Sequence, residues 1–564
     1  MAEFDTIVKA GTIIDGMRTP RFVGDLGIKG GRITYIGNLK PSDGDRCLDA
    51  SGLIVAPGFV DYHTHYDSQL FWDPYCTLSG WHGVTSVVIG NCGFAFAPVR
   101  PEDRDRAMLT VSRNEAVPLA TMKEGMPWDW ETFPEFMDSV DRAPKGVNVL
   151  ALLGLSPLLL NVMGIESKGR SATDAEMERM QEILYEAMQA GACGFSTQRG
   201  GEDSIQRDYD GTPMITDIQP KEDVLKLAQV LRKVGRGFIQ GAGERELAEE
   251  LCETTGGAVM SGLGVTTDQH GQPMENYKEQ IQWLADANQR GHRVFAQLIQ
   301  GGVGFQFTLE DWNLFDRSAL WREATLGTPE ERAAKMRDPE LRGAIKAEYD
   351  EGNDPLPFTT IPTLYVQEVV DPELHDSEGM TVGELAERDQ KHVIDAFLDL
   401  ALADELRTTF VTPPRERTAD EWEALKEVCN SPYALPGVSD GGAHTKFITL
   451  GAYTTEYLSE FVRDHEVQGL EEAHWRLSGY PAQAIGFKDR GWIKEGAPAD
   501  LVIYDLEALS LRPVEKAWDF PADEWRRIRK PDGYRWIMVN GEVTFEDGEC
   551  TDATPGALLR HGTA

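Results

Sequence analysis

The chain has 564 residues, 41% of them hydrophobic and 9% aromatic, enough for a sizeable core in one large domain with insertions or in several ordinary ones. A formal charge of −38 leaves no basic footprint for nucleic acid or an anionic membrane, and seven cysteines without regular spacing exclude a disulfide framework. The start, Met1-Ala-Glu-Phe-Asp-Thr-Ile-Val8, has no basic region ahead of an apolar run, so a cytoplasmic protein acting on a small molecule is expected, with a homo-oligomer left open.

Residues 4–9, 25–29 and 32–36 are short strand-like runs separated by turn signals such as Gly30-Gly31, and predict a small β unit. From residue 53 a different rhythm begins, in which apolar or β-branched runs end in Gly, Ser, Asn or Asp and are followed by amphipathic stretches. Candidate strands fall at 53–61, 85–90, 147–153, 193–197, 237–240, 258–261, 293–297 and 435–438, with helices predicted between several of them, for example at 173–190 and 221–234. Eight such units predict a parallel α/β barrel of the TIM type, whose active residues stand at the carboxyl ends of the strands. Residues 302–432 are too long for an ordinary connection and read as an insertion of surface helices, rich in Phe305, Phe307, Trp312, Phe315 and Trp321. The tail is strand-like again at 500–505 and 534–541. The expected domains are therefore 1–55 and 488–564, joined in one small β domain, and the barrel, 56–487.

The first barrel strand leads into His63-Thr64-His65. Alternate residues of an extended chain project to the same side, so both imidazoles can reach one metal ion. The second candidate strand runs into Cys92, and the eighth is followed by Asp440. Four segments carry a resemblance: Ala56-Pro-Gly-Phe-Val-Asp-Tyr-His-Thr-His65, Gly83-Val-Thr-Ser-Val-Val-Ile-Gly-Asn-Cys-Gly93, Gly437-Val-Ser-Asp-Gly441, and the stretch from Ser478 to Asp505. In this order they resemble the amidohydrolase superfamily, and within it the D-aminoacylase (N-acyl-D-amino-acid deacylase) branch. The resemblance implies a metal-dependent hydrolase of a non-peptide carbon–nitrogen bond. His63 and His65 match the paired first-strand ligands, Cys92 the cysteine ligand of this branch, and Asp440 the aspartate that neighbours the metal and shuttles the proton. Two imidazoles and a thiolate suit zinc, which would lower the pKa of a water towards about 7. Asp440 is the expected general base and acid, and a candidate fourth metal ligand beside His63, His65 and Cys92.

The branch supplies two further histidines, after strands five and six, and here Gly241 and Gly262 stand in their places. One zinc ion rather than two is the expectation. Gln240, Glu244, Gln297 or His270 could complete an altered site, and a binding protein without catalysis is the remaining reading. A substrate-binding lysine is likewise replaced, by Gly264. Candidates for holding substrate are then Gln240, Gln297, His444 and Lys446, with Arg245 a further basic side chain and Phe94, Phe96 and Met163 apolar ones. An ester, lactone or cyclic amide remains the alternative to an open-chain amide, since all would use the same site residues.

Overall fold

The structure is a computed structural model describing all residues except 1, 205, 242, 264–275, 299–303, 311–313, 357–358, 414–415 and 563–564. Strands β1 (Phe4–Ile13), β2 (Phe22–Lys29), β3 (Arg32–Gly37), β4 (Gly44–Asp49) and β5 (Ile54–Pro57) come from the start of the chain. They share one sheet with Leu501–Tyr504, Tyr534–Val539, Glu542–Glu546 and Glu549–Cys550 from its end. β5 is the seam, parallel to β1 and antiparallel to Leu501–Tyr504, with Val55 opposite Ile503.

The expected strand at 53–61 is in fact two. β5 belongs to the small sheet and β6 (Phe59–Asp61) to the barrel, because at Gly58 the backbone changes partners: its N–H donates to Asp500 while that of Phe59 donates to Gly83. The barrel continues through β7 (Val84–Ile89), β8 (Asn148–Ala151) with β9 (Leu153–Gly154), β10 (Gly194–Ser196), β11 (Phe238–Gln240), β12 (Ala258–Leu263) and β13 (Arg293–Leu298). After the insertion, whose short strands are β14 (Gln306–Phe307), β15 (Tyr365–Glu368) and β16 (Thr409–Val411), it ends with β17 (Ala434–Pro436). Neighbouring barrel strands are parallel, and β8 and β9 act as one strand interrupted at Leu152, which gives eight. The circle closes beyond the ends of β6 and β17, where Thr64 bridges Gly441 and the His65 N–H donates to the Gly441 carbonyl at 2.7 Å.

Successive side chains on these strands separate two cores, as the period of two requires. Val60, Val88, Leu150, Phe238, Met260 and Leu435 pack together inside the barrel with residues of the 480–487 segment, whereas Phe59, Val87, Val149, Ile239 and Val259 lie under the outer helices. The insertion has an aromatic core of its own, including Phe305, Phe307, Phe315, Trp321 and Phe410; Trp312 lies outside the described residues. The helix Ala419–Asn430, expected within the insertion, instead packs Leu425 and Val428 on the barrel core. Among the described residues no helix is long and apolar enough to cross a membrane.

Candidate metal centre

His63 and His65 follow β6, Cys92 follows β7, and Asp440 lies four residues beyond β17, so the barrel gathers all of them at the carboxyl ends of its strands. Thr64 turns to the neighbouring strand, where its hydroxyl donates to the Val88 carbonyl at 2.7 Å, leaving the two imidazoles to face the same space. One ligand atom each from His63, His65 and Cys92 lies within 4.8 Å of the others. The Cys92 Sγ is 3.3 Å from His63 Nε2, and Asp440 Oδ1 is 3.3 Å from His63 Nε2 and 3.6 Å from His65 Nε2. Ligands sharing a zinc ion through bonds of about 2.0–2.3 Å stand about 3.3–3.8 Å apart, so separations and donor types fit that metal.

The electrostatics agree. Burial opposes a charge on Cys92, but His63 and His65 overcome it and hold the thiol below its ordinary range; burial likewise opposes ionisation of Asp440, and His65, His63 and His444 overcome it in turn. Burial pulls His63 down, yet the Cys92 thiolate and Asp440 lift it to about 9, and Glu115 and Asp440 lift His65 in the same way. A thiolate and a carboxylate in a buried site thus call for positive charge, which a divalent cation supplies. Cys92, Asp440 and His444 all have left-handed backbones, with φ of 56°, 45° and 50°. Each conformation costs about 1–2 kcal/mol for a residue with a side chain, an expense characteristic of functional sites.

The residues expected to hold substrate have defined partners in the structure. The Gln297 Oε1 is 2.6 Å from His63 Nδ1, and the Gln240 Oε1 accepts the Cys92 N–H at 2.7 Å. Both glutamines are buried, one turned to the His63 ring and the other to the Cys92 backbone. The Lys446 ammonium pairs with Glu524 at 3.0 Å and lies over Trp525. Arg245 lies over Trp283, and Glu244 is exposed at the start of the helix Arg245–Thr255. His270 and Gly264 lie outside the described residues. Phe94 does stand at the site, its ring 6.2 Å from that of His65, and it also lines an apolar recess with Val99, Val111, Leu160, Met214 and Ile215. Phe96 and Met163 are core residues.

Gly241 has φ of +85°, and a Cβ there would stand 1.9 Å from the Thr197 carbonyl oxygen, so the backbone at the end of β11 admits no histidine. Gly262 differs: a Cβ would meet nothing within 4 Å among the described residues.

One site residue was missed. Glu115 ends the helix Arg104–Glu115, is 1% exposed, and places Oε2 3.4 Å from His444 Nε2 and 3.9 Å from His65 Nε2. His444, expected to hold substrate, therefore stands between Glu115 and Asp440, whose Oδ2 is 3.8 Å away. No sequence motif marks Glu115, which reaches the centre only because its helix folds over the barrel mouth; the His444 N–H donates to its carbonyl.

Comparison with known proteins bears on the family and the fold. The model of the "Amidohydrolase family" matches residues 46–545. An N-acyl-D-aspartate deacylase of Alcaligenes xylosoxydans xylosoxydans is 38% identical over an alignment covering 100% of this chain and 96% of that protein. An N-acyl-D-glutamate deacylase of the same organism is 26% identical, with 99% and 97% covered. The crystal structure of N-acyl-D-glutamate deacylase from Bordetella bronchiseptica, complexed with zinc and a phosphonate inhibitor, superposes with a TM-score of 0.68 at 24% identity, covering 99% of this chain and 100% of that one. The crystal structure of a D-aminoacylase gives 0.67 at 22%, with the same coverage. This chain belongs to the amidohydrolase family, on its D-aminoacylase-like branch, and is a metal-dependent hydrolase of carbon–nitrogen bonds other than peptide bonds.

Proposed function

We propose that the protein is a zinc hydrolase cleaving the acyl amide of an N-acylated small molecule, with His63, His65 and Cys92 as metal ligands and Asp440 as the proton carrier. The observation that carries this reading is the convergence of the three ligand atoms within 4.8 Å beside the Asp440 carboxylate. Three protein ligands are the pattern of catalytic zinc, which keeps one position open. A zinc ion bound there supplies positive charge that acidifies a water and polarises the scissile carbonyl.

The protein's own groups do the rest. Gln297 accepts the Nδ1 proton of His63 and so aims the Nε2 lone pair at the ion. The Ser439 hydroxyl donates to the His63 carbonyl and accepts the Gly441 N–H, both at 3.0 Å, fixing the loop that carries Asp440. Asp440 is held ionised by the surrounding histidines and keeps 19% of its side chain exposed, so it can exchange protons with solvent. It takes the proton of the attacking water at Oδ1, beside the two imidazoles, and returns it to the leaving nitrogen. The recess beside Phe94 suits an apolar acyl chain. The deacylase activity of the 38% identical relative supports an N-acyl amino acid as the substrate class.

Zinc stoichiometry on protein purified without added metal or chelator, beside His63→Ala, tests the reading. Bound zinc lost in the variant, followed by turnover within a panel of N-acyl-D-amino acids, is the expected result. Failure to retain zinc after reconstitution would refute it, while turnover of esters or lactones alone would keep the residues and change the substrate class.

A further inference from the structure

We propose that Arg207 and Arg322 form an anion-binding position at the barrel mouth, taking a carboxylate or another small oxyanion between the loop after β10 and the insertion. The substrate-borne form of that anion rests on the hydrolase reading; binding of a free anion does not.

Arg207 is the reason. It is 7% exposed, and its guanidinium, ionised at every physiological pH, forms no ion pair within 4.0 Å among the described residues. Its Nε is enclosed without a hydrogen-bond partner. Burial, and then the like charge of Arg322, hold it below the ordinary arginine range against the weaker pull of Asp316, Asp203 and Asp217. Arginine is almost never buried unless paired, because the cost of desolvating the ion is otherwise not recovered.

The surrounding charges leave that deficit in place. Three guanidiniums, of Arg113, Arg207 and Arg322, act on the buried Asp316 carboxylate, and it is Arg113 that holds it, at 2.6 Å. Arg322, on the helix Ala319–Thr325 of the insertion, donates to the Asp316 carbonyl at 2.9 Å and forms no ion pair within 4.0 Å among the described residues. Asp217 is engaged within its own loop, where it accepts the Gly200 N–H at 2.6 Å.

The two arginines stand on elements that meet. A bridge between Arg207 and Pro213 folds the loop back, and a Cβ on Gly211 at its tip would stand 3.5 Å from Arg322 Cδ. The Arg207 carbonyl accepts the Asn114 side-chain N–H at 2.7 Å, one residue before Glu115, which ties this loop to the rim of the metal centre. Met214 of the same loop lines the recess beside Phe94, so the anionic and apolar parts of one ligand would meet the same loop. Guanidinium forks match the geometry of an oxyanion, and an anion between two of them replaces a repulsion by two attractions.

The test takes the zinc-loaded, full-length protein in a low-salt zwitterionic buffer and compares wild type with Arg207→Gln and Arg322→Gln. Melting temperature is followed as sodium acetate or sodium phosphate is titrated, and kinetics are measured on an N-acyl-D-amino acid and on its carboxamide. A free anion as the ligand raises the wild-type melting temperature with a saturating dependence that weakens at least about tenfold in each variant. A substrate carboxylate as the ligand gives wild type a preference for the acid over the carboxamide that falls at least about tenfold in each variant, through a raised KM. Either result supports the position and identifies the source of the anion. Anion titrations and acid-to-carboxamide preferences that match between wild type and both variants would overturn it. Without added anion, Arg207→Gln is expected to melt no lower than wild type, because it removes an unpaired buried charge; a lower melting temperature with an unchanged anion response marks a structural role and also overturns the proposal. If no amide is turned over, the hydrolase reading fails, and the acetate and phosphate titrations decide the anion position by themselves.

Discussion

Replacing Gln297 by leucine is expected to weaken zinc binding about 10- to 100-fold without changing KM once zinc saturates the protein. Gln297 is 4% exposed, and its Oε1 lies 2.6 Å from His63 Nδ1. Leucine fills nearly the same volume but accepts no hydrogen bond, so His63 loses the group that selects its tautomer and faces a buried, unpartnered nitrogen. The affinity loss corresponds to about 1.4–2.8 kcal/mol. Stranding the Nδ1–H costs about 1–3 kcal/mol, a similar magnitude from an independent consideration. Glutamate at the same position would strengthen the interaction and is expected to hold zinc at least as tightly as wild type. The assay is competition for zinc against a chelator of known affinity, followed by steady-state kinetics at saturating zinc. A Gln297→Leu protein with unchanged zinc affinity and a KM raised tenfold would refute the reasoning and return Gln297 to the substrate.

Asp440→Asn is expected to lower kcat by about 10²–10⁴-fold while retaining zinc, because the three remaining ligands are untouched; elemental analysis beside single-turnover kinetics checks both halves. Gly241→Ala is expected to destabilise the fold by at least about 2 kcal/mol, combining a left-handed backbone with the clash against the Thr197 carbonyl, whereas Gly262→Ala should be near neutral; urea unfolding distinguishes them. His474 is buried with Nε2 2.8 Å from the Tyr504 hydroxyl, and burial lowers its pKa from 6.5 to about 3. Its neutral form is the one that folds, so its contribution is intact above pH 6.5 and is lost as the pH falls towards 3, by about 2 kcal/mol at pH 5. Melting curves of His474→Phe should therefore decline less than those of wild type between pH 6.5 and 5, and parallel declines would contradict this.

The eight strands were legible because a barrel strand buried on both faces must be apolar throughout and must end where the chain turns, and both features are local. The handover at Gly58 was not, since the apolar run from 53 to 61 is continuous and only the competing partners Asp500 and Gly83 divide it. The helix Ala419–Asn430 was assigned to the insertion because its apolar stripe reads the same whichever core it covers.

At the centre the same division holds. The sequence by itself determined that His63, His65, Cys92 and Asp440 stand at strand ends carrying metal-binding chemistry, and that no histidine follows the fifth strand directly. Ligand type and spacing are local properties, and the barrel converts a strand end into a place at its mouth. Only the tertiary structure decided that Gln240 and Gln297 meet Cys92 and His63, that Lys446 meets Glu524, and that Glu115 meets His444. Those assignments depend on which groups meet across the closed barrel and beneath a covering helix. A glutamine facing an imidazole and a glutamine facing a substrate are identical in sequence; the distances between strands tell them apart.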